Sequence, residues 1–335
     1  VTTASQASTA ELVGQSEKAV RITEVDVLRG FALFGITLVN TVGITGMPTS
    51  GSADGLGHWV YQTLLHQRFF PIFSFLFGLS FGLFLDAVKG RTHSPRLVML
   101  ARLGFLMPFG ALHRLLQPRE VLLTYAVVGI VVLLPASLLP GWRIVLALGT
   151  VATAAAALVA GGSMLIPGLF LVGLGAARYG SENLLSLPTS RLRVVLATAS
   201  TFAVALNVLQ ISTGTDSGAR PATFAGLATA ATYVTAIVLL LRSRIRPALC
   251  KLAPIGRMAL TGYIAATLLI LAADQVLHLE SESNYGMAFA LGAGVFVIEM
   301  AFSLLWLRYA RYGPLEWVWR CLTWWKVVPN RSGPG

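Results

Sequence analysis

Charge is scarce in this sequence. Asp, Glu, Lys and Arg make up only 12% of its 335 residues, while 55% are hydrophobic. A soluble domain carries about twice that charged share, so the deficit excludes a chain that covers itself with solvated side chains. Cysteine is nearly missing too: Cys250 and Cys321 are the only two. Neither has a Cys or His neighbour at metal-ligand spacing, and both fall on the predicted cytoplasmic side. Neither a metal centre nor a disulfide is expected. No internal repeat is visible, which weighs against an inverted-repeat transporter plan. Residues 1–20 hold no apolar core ahead of Arg21, so they read as a disordered tail and not as a cleaved signal peptide.

What the sequence has in abundance is apolar runs of about 20 residues, the length that crosses a bilayer core. Ten such spans are predicted, near 27–46, 69–88, 97–116, 121–139, 143–161, 164–179, 192–212, 222–241, 256–277 and 286–307. The expected fold class is therefore all-α, a polytopic bundle over residues 21–312 followed by a C-terminal interfacial segment over 313–335. The formal net charge of +11 is explained by topology and not by a nucleic-acid partner. With the N-terminus and C-terminus both cytoplasmic, the outer side keeps only Arg68, Arg114, Arg119 and Arg220 of the 25 basic residues. That is the positive-inside asymmetry, and the inner excess also suits contact with anionic lipids.

Within this frame a few polar residues stand out. Asp26 and Arg29 sit three apart at the entry of span one and share a helical face. They are either a cap and a snorkelling cation or a functional pair. The stretch H-W-V-Y-Q-T-L-L-H-Q-R after span one reads as a short interfacial helix, with Trp59 and Tyr61 at headgroup level. Gly78 and Gly82, one turn apart in span two, predict close approach by another helix. Span six is glycine-broken and short, and span three has Pro108 at its middle. Glu299, an acid in the middle of span ten, is expected to be neutral and hydrogen-bonded or to line a polar cavity. The C-terminal R-Y-G-P-L-E-W-V-W-R-C-L-T-W-W-K alternates tryptophan with basic residues, as interfacial helices do.

Five segments, taken together and in order, resemble the YeiB-like bacterial membrane proteins. They are R-I-T-E-V-D-V-L-R-G-F-A-L-F-G-I-T-L-V-N, R-F-F-P-I-F-S-F-L-F-G, R-L-G-F-L-M-P-F-G-A-L-H with the following E-V-L-L-T-Y-A, G-R-M-A-L-T-G-Y, and G-P-L-E-W-V-W-R-C-L-T. That family usually has Asp-Ile-Leu where this chain has Glu120-Val121-Leu122, so the acid is kept on a longer arm. The resemblance implies a multi-pass protein of the bacterial cytoplasmic (inner) membrane. The D-x-L-R-G opening of span one is also similar to that of membrane acyltransferases, among them heparan-α-glucosaminide N-acetyltransferase and the O-acyltransferases of bacterial surface glycans. In the O-acyltransferases an Arg here is followed eleven residues later by a His; this chain has Asn40 at that distance from Arg29, as the glucosaminide enzyme does. That enzyme places a His-containing loop ahead of an F-P-x-F-x-F-x-x-G segment, and this chain has His58-Trp59 ahead of Phe70 to Gly78.

Acyl transfer needs a general base for the acceptor proton and a donor for the developing oxyanion. The candidate bases are His113, His58 and His66, all near the predicted outer face. His113 leads because it lies inside an apolar span and within the family resemblance; the alternative for it is a buried structural histidine. Glu120, just across a turn, either orients the His113 imidazole or forms a surface ion pair with Arg114 or Arg119. On the inner side Asp26, Arg29, Asp86, Arg102 and Arg257 come from helix ends that can converge. Arg29, Arg102 and Arg257, with Asp26, are the expected holders of a cytosolic acyl-CoA such as acetyl-CoA, whose phosphates need basic partners; inner-leaflet phospholipid is the competing ligand. Two functions follow. One is acyl transfer to a glycosyl or small-molecule acceptor. The other is export of a small or lipid-like molecule through an Asp26, Arg29 and Glu299 relay.

Overall fold

A computed structural model of the chain describes residues 23–49, 55–180, 183–184, 186–213, 220–281 and 283–331. The tail expected over 1–20 and most of the loop before Arg220 lie outside the described residues. Among those described there is no strand, only one antiparallel bridge between Ala310 and Arg331. Nine helical stretches are long and apolar enough to cross a membrane, and a shorter apolar helix, Leu122–Ala136, makes a tenth. They coincide with the ten predicted spans to within a few residues at each end, except that the second stretch, Leu56–Lys89, starts well ahead of its span. Large apolar side chains face outward on the peripheral helices, including Val151 at 68% and Phe202 at 60% exposure. Lipid accepts such a surface and water does not. The chain is a multi-pass membrane protein.

The bundle is built around α1, Thr23–Ile44, whose Val27, Ala32 and Leu33 are completely buried. Its threonines satisfy themselves: the hydroxyls of Thr37, Thr41 and Thr45 donate to carbonyls one turn back at 2.9, 2.9 and 2.8 Å, so they add no unpaired polar group to the core. The short helix α10, Ala253–Arg257, docks on the start of α1 through two glycines. A Cβ on Gly30 would strike the Leu252 carbonyl, and one on Gly256 would strike the Asp26 carbonyl. The predicted glycine approach in span two is also present. Gly78 and Gly82 of α3, Phe70–Lys89, press on Phe170 and Ala177 of α7, Ile166–Tyr179. Span six, the short glycine-rich one, is thus among the most deeply packed helices, with Phe170 and Ile166 fully buried.

The remaining membrane helices are α4 (Pro95–Leu116), which runs through Pro108 without ending, α5 (Leu122–Ala136), α6 (Trp142–Val159), α8 (Thr189–Ser212), α9 (Arg220–Leu240), α11 (Ala259–Leu277) and α12 (Tyr285–Tyr309). The last element, α13 (Pro314–Trp324), is the C-terminal amphipathic helix.

The predicted interfacial helix packs its Tyr61 and His58 side chains into the bundle. Leu56–Val60, here α2, continues into a π-helical turn over Tyr61–Leu65 and packs into the bundle. Tyr61 is 5% exposed and His58 7%. Their rings pack near Tyr285 of α12, with His58 Nδ1 3.1 Å from its hydroxyl. Ten residues cannot span a bilayer, so the sequence favoured a surface position; burial against α1 and α12 overrides it. The chain then breaks at His66–Phe69, with Gln67 in the left-handed region at φ +60°, and resumes as α3. Arg68 closes the break. Completely buried, it donates to the carbonyls of Thr63 and His66 at 3.0 and 2.7 Å and to the side chains of Asn207 and Gln210 at 2.9 and 2.8 Å. A broken helix at membrane depth requires such internal partners for its freed carbonyls.

Candidate functional site

Two cavities lie end to end inside the bundle. The first, about 210 Å³, is bounded by Arg29 at the start of α1, Arg102 early in α4, Arg257 at the end of α10, and Glu316 and Trp319 of α13. From this charged end it continues along an apolar shaft that includes Phe73, Leu76 and Phe77 of α3, Leu103 and Leu106 of α4, and Tyr125 of α5. The three arginines expected to hold an anionic donor therefore meet in one place.

Each arginine is fixed differently. Arg29 donates to Asp26 at 2.8 Å and to the Ser80 hydroxyl, so Asp26 orients the guanidinium from behind and does not line the cavity. Arg102 lies over the Trp319 ring at 3.8 Å and 4.7 Å from the Phe84 ring centre, while the Trp319 indole donates to the Arg102 carbonyl at 2.7 Å. A stacked, desolvated guanidinium of this kind is worth about 2 kcal/mol. Arg257 donates to the Arg311 carbonyl at 3.2 Å. Asp86 does not join them; it pairs with Lys89 at 2.5 Å on the exposed end of α3.

Glu316 lines this end of the cavity. Its carboxylate accepts from the backbone N–H groups of Leu260 and Thr261 at 2.7 and 3.0 Å and from the Thr261 hydroxyl at 2.6 Å. It thereby caps the first turn of α11 from another helix, satisfying donors that a helix start leaves open. Burial pushes this carboxyl above the usual carboxylate range, and the hydrogen bonds from Thr261 oppose that rise.

The second cavity, about 240 Å³, is lined by His66, Gln67, Asn40, Arg119 and Ser163 together with apolar residues of α1, α3 and α7. His66 Nδ1 and Gln67 Oε1 are buried without a hydrogen-bond partner among the described residues. Ile36, Val121, Tyr125 and Tyr263 line both cavities and form the wall between them.

The leading histidine of the sequence is elsewhere. His113 lines neither cavity; its side chain is fully buried, with Nε2 2.9 Å from the Thr267 hydroxyl and its ring edge-on to Tyr263 at 4.8 Å. Glu120 approaches its Nδ1 only to 3.9 Å. The Glu120 carboxylate is instead occupied by the backbone N–H groups of Leu122 and Leu123, at 2.5 and 3.1 Å, as the cap of α5. It is buried and not a surface ion pair. His58 is bound to Tyr285 and also lines neither cavity. Glu299 is 5% exposed, and neither of its oxygens has a partner among the described residues; it too is outside both cavities. Tyr125, Tyr263, Glu316 and Trp319 were missed as site residues, although each lies within a segment that carries the family resemblance.

The segments that meet here also carry the similarity to known proteins. The family described as Protein of unknown function (DUF418) matches residues 176–326. A Bacillus acidopullulyticus protein named "Uncharacterized 39.9 kDa protein in amylase 3'region" is 35% identical over 92% of this chain and 95% of its own length. YeiB of Escherichia coli is 40% identical over 72 residues, 22% of this chain and 19% of YeiB. YxaH of Bacillus subtilis is 32% identical over 30% of this chain and 26% of YxaH. The chain belongs to the YeiB-like DUF418 family. The DUF418 match takes in α10, α11 and α13, and so Arg257, Tyr263, Glu316 and Trp319. In this family member two motif segments lock together physically: Leu260 and Thr261 from G-R-M-A-L-T-G-Y, and Leu315 and Glu316 from G-P-L-E-W-V-W.

Proposed function

We propose that this protein is an acyltransferase of the bacterial cytoplasmic membrane, moving an acyl group from a cytosolic acyl-CoA, acetyl-CoA in the simplest case, to a hydroxyl or amine of a glycosyl or small-molecule acceptor. The observation that carries this reading is the first cavity. Three guanidiniums at its mouth suit the phosphates of the donor, and the apolar shaft behind them suits the acyl arm. The shaft leads to a second cavity, where His66, Gln67, Asn40, Arg119 and Ser163 stand among apolar residues and an acceptor would sit. His66 supplies the base, because it is the one candidate histidine that lines either of these cavities and its Nδ1 has no hydrogen-bond partner among the described residues. His113 and His58 are assigned to the scaffold. Membrane lipids surround the bundle, and the glycosyl or small-molecule acceptor is its other partner.

A permease or exporter is the second reading, favoured by the shared wall between the cavities. The relay it would use is not assembled: Asp26 and Arg29 pair with each other, and Glu299 faces neither cavity. Acetyl-CoA binding and CoA release, measured on purified protein in nanodiscs, separate the two. His66→Ala is expected to keep donor binding and lose about 100-fold or more in CoA release, the usual worth of a general base. Equal release by His66→Ala and the wild type would remove His66 from the mechanism. Flux of substrate without acyl transfer would favour the permease.

A further inference from the structure

A group bound in one cavity meets a group bound in the other only at the wall they share. Ile36 and Val121 contribute apolar side chains there, so any side-chain hydrogen bond made at the wall comes from Tyr125 or Tyr263. These two hydroxyls are not equivalent. That of Tyr125 lies 2.6 Å from the Ser74 hydroxyl and 3.5 Å from the Phe70 carbonyl, and so is engaged by α3. Among the described residues no hydrogen bond ties Tyr263 to α3, and its side chain lines both cavities from α11. A phenol hydroxyl carries one proton to donate, and at the shared wall that proton can be given to a bound group. The ring is held from behind by His113, edge-on at 4.8 Å. His113 is in turn tied at 2.9 Å to Thr267, one turn beyond Tyr263 on α11.

Resting on the acyltransferase reading above, we propose that Tyr263 is a catalytic residue: its hydroxyl donates to the thioester carbonyl oxygen at the junction of the two cavities and stabilises the charge that develops there. The acceptor oxygen or nitrogen bonds to the carbonyl carbon while His66 takes its proton, and the carbonyl π pair moves onto the oxygen facing Tyr263. On collapse that pair re-forms the carbonyl, the C–S bond breaks with its electrons on sulfur, and the proton on His66 passes to the sulfur. The products are the acylated acceptor and a free thiol, and no other reactant is needed. The donor hydrogen bond matters most in a water-excluded wall, where it is worth far more than in bulk solvent.

Tyr263→Phe removes only the hydroxyl. Wild type and variant in nanodiscs are compared for acetyl-CoA affinity, for melting temperature, and for CoA release with glucosamine as the probe acceptor. The assignment expects release at saturating donor to fall about 100-fold, with affinity within about twofold and melting unchanged. Release within about threefold of wild type overturns the Tyr263 role and leaves the acyltransferase reading standing. Loss of acetyl-CoA binding in the variant overturns it too, because the hydroxyl would then be a binding group. A wild type that releases no CoA from any acyl-CoA fails the acyltransferase reading, and the Tyr263 role falls with it. Should Tyr263→Phe not fold, fluorotyrosine placed at 263 keeps the hydroxyl and makes it a stronger donor; release at saturating donor is then expected to rise with affinity unchanged, and unaltered release overturns the assignment.

Discussion

Arg68 shows how a single residue decides the shape of the second cavity. It is a completely buried cation with four neutral oxygen partners, two on the backbone of the broken helix and two on α8. Arg68→Met would keep the volume and leave all four acceptors bare. The expected loss is on the order of 3 kcal/mol, read as a fall in melting temperature in detergent. Since the same guanidinium holds the chain beside His66, acceptor-dependent turnover should fall with it. In the sequence Arg68 was simply one of four basic residues left on the outer side. Nothing in composition shows that a cation will be buried; only its acceptors on a distant helix do. The same holds for the histidines. His113 drew attention because its neighbours are apolar, yet apolar neighbours do not tell which face of α4 meets a cavity. His66 lies in H-Q-R-F-F-P, where a break ahead of Pro71 frees a ring nitrogen, and that break was the readable sign.

At the scale of elements, the ten membrane helices were legible because each is a long apolar run, and the bilayer leaves such runs few alternatives. The glycine contacts of α3 were legible for a similar reason: a helix with two small residues one turn apart offers a groove. The α2 segment was not. Its tryptophan and tyrosine match an interfacial anchor, and its burial depends on a left-handed Gln67 and on the partners of Arg68. The coupling of α13 to α11 through Glu316 was equally hidden, since a cap supplied across 55 residues leaves no local signature. That coupling makes a prediction. Glu316→Ala removes the cap of α11 and should cost about 1–3 kcal/mol. Hydrogen exchange across residues 314–324 should rise while α6 and α8 stay as protected as before. Unchanged exchange in α13 would mean that Trp319 alone holds it.

The molecule as a whole reads as a bundle with one charged entrance and two chambers. The helix ends that carry Arg29, Arg102 and Arg257 do converge, and these three arginines chosen from sequence share one cavity with a cap and an indole from the C-terminal helix. Which chamber faces which reactant follows from that convergence, since a donor carrying phosphates needs the arginine end. The most direct test of this account is titration of acetyl-CoA into the protein in nanodiscs, beside a variant with Arg29, Arg102 and Arg257 all changed to Gln. The account predicts binding that weakens as salt is raised and a loss of about 100-fold or more in the variant, at roughly tenfold or less for each guanidinium removed. Equal affinity in the two proteins, or no binding of any acyl-CoA by the wild type up to about 1 mM, would contradict it.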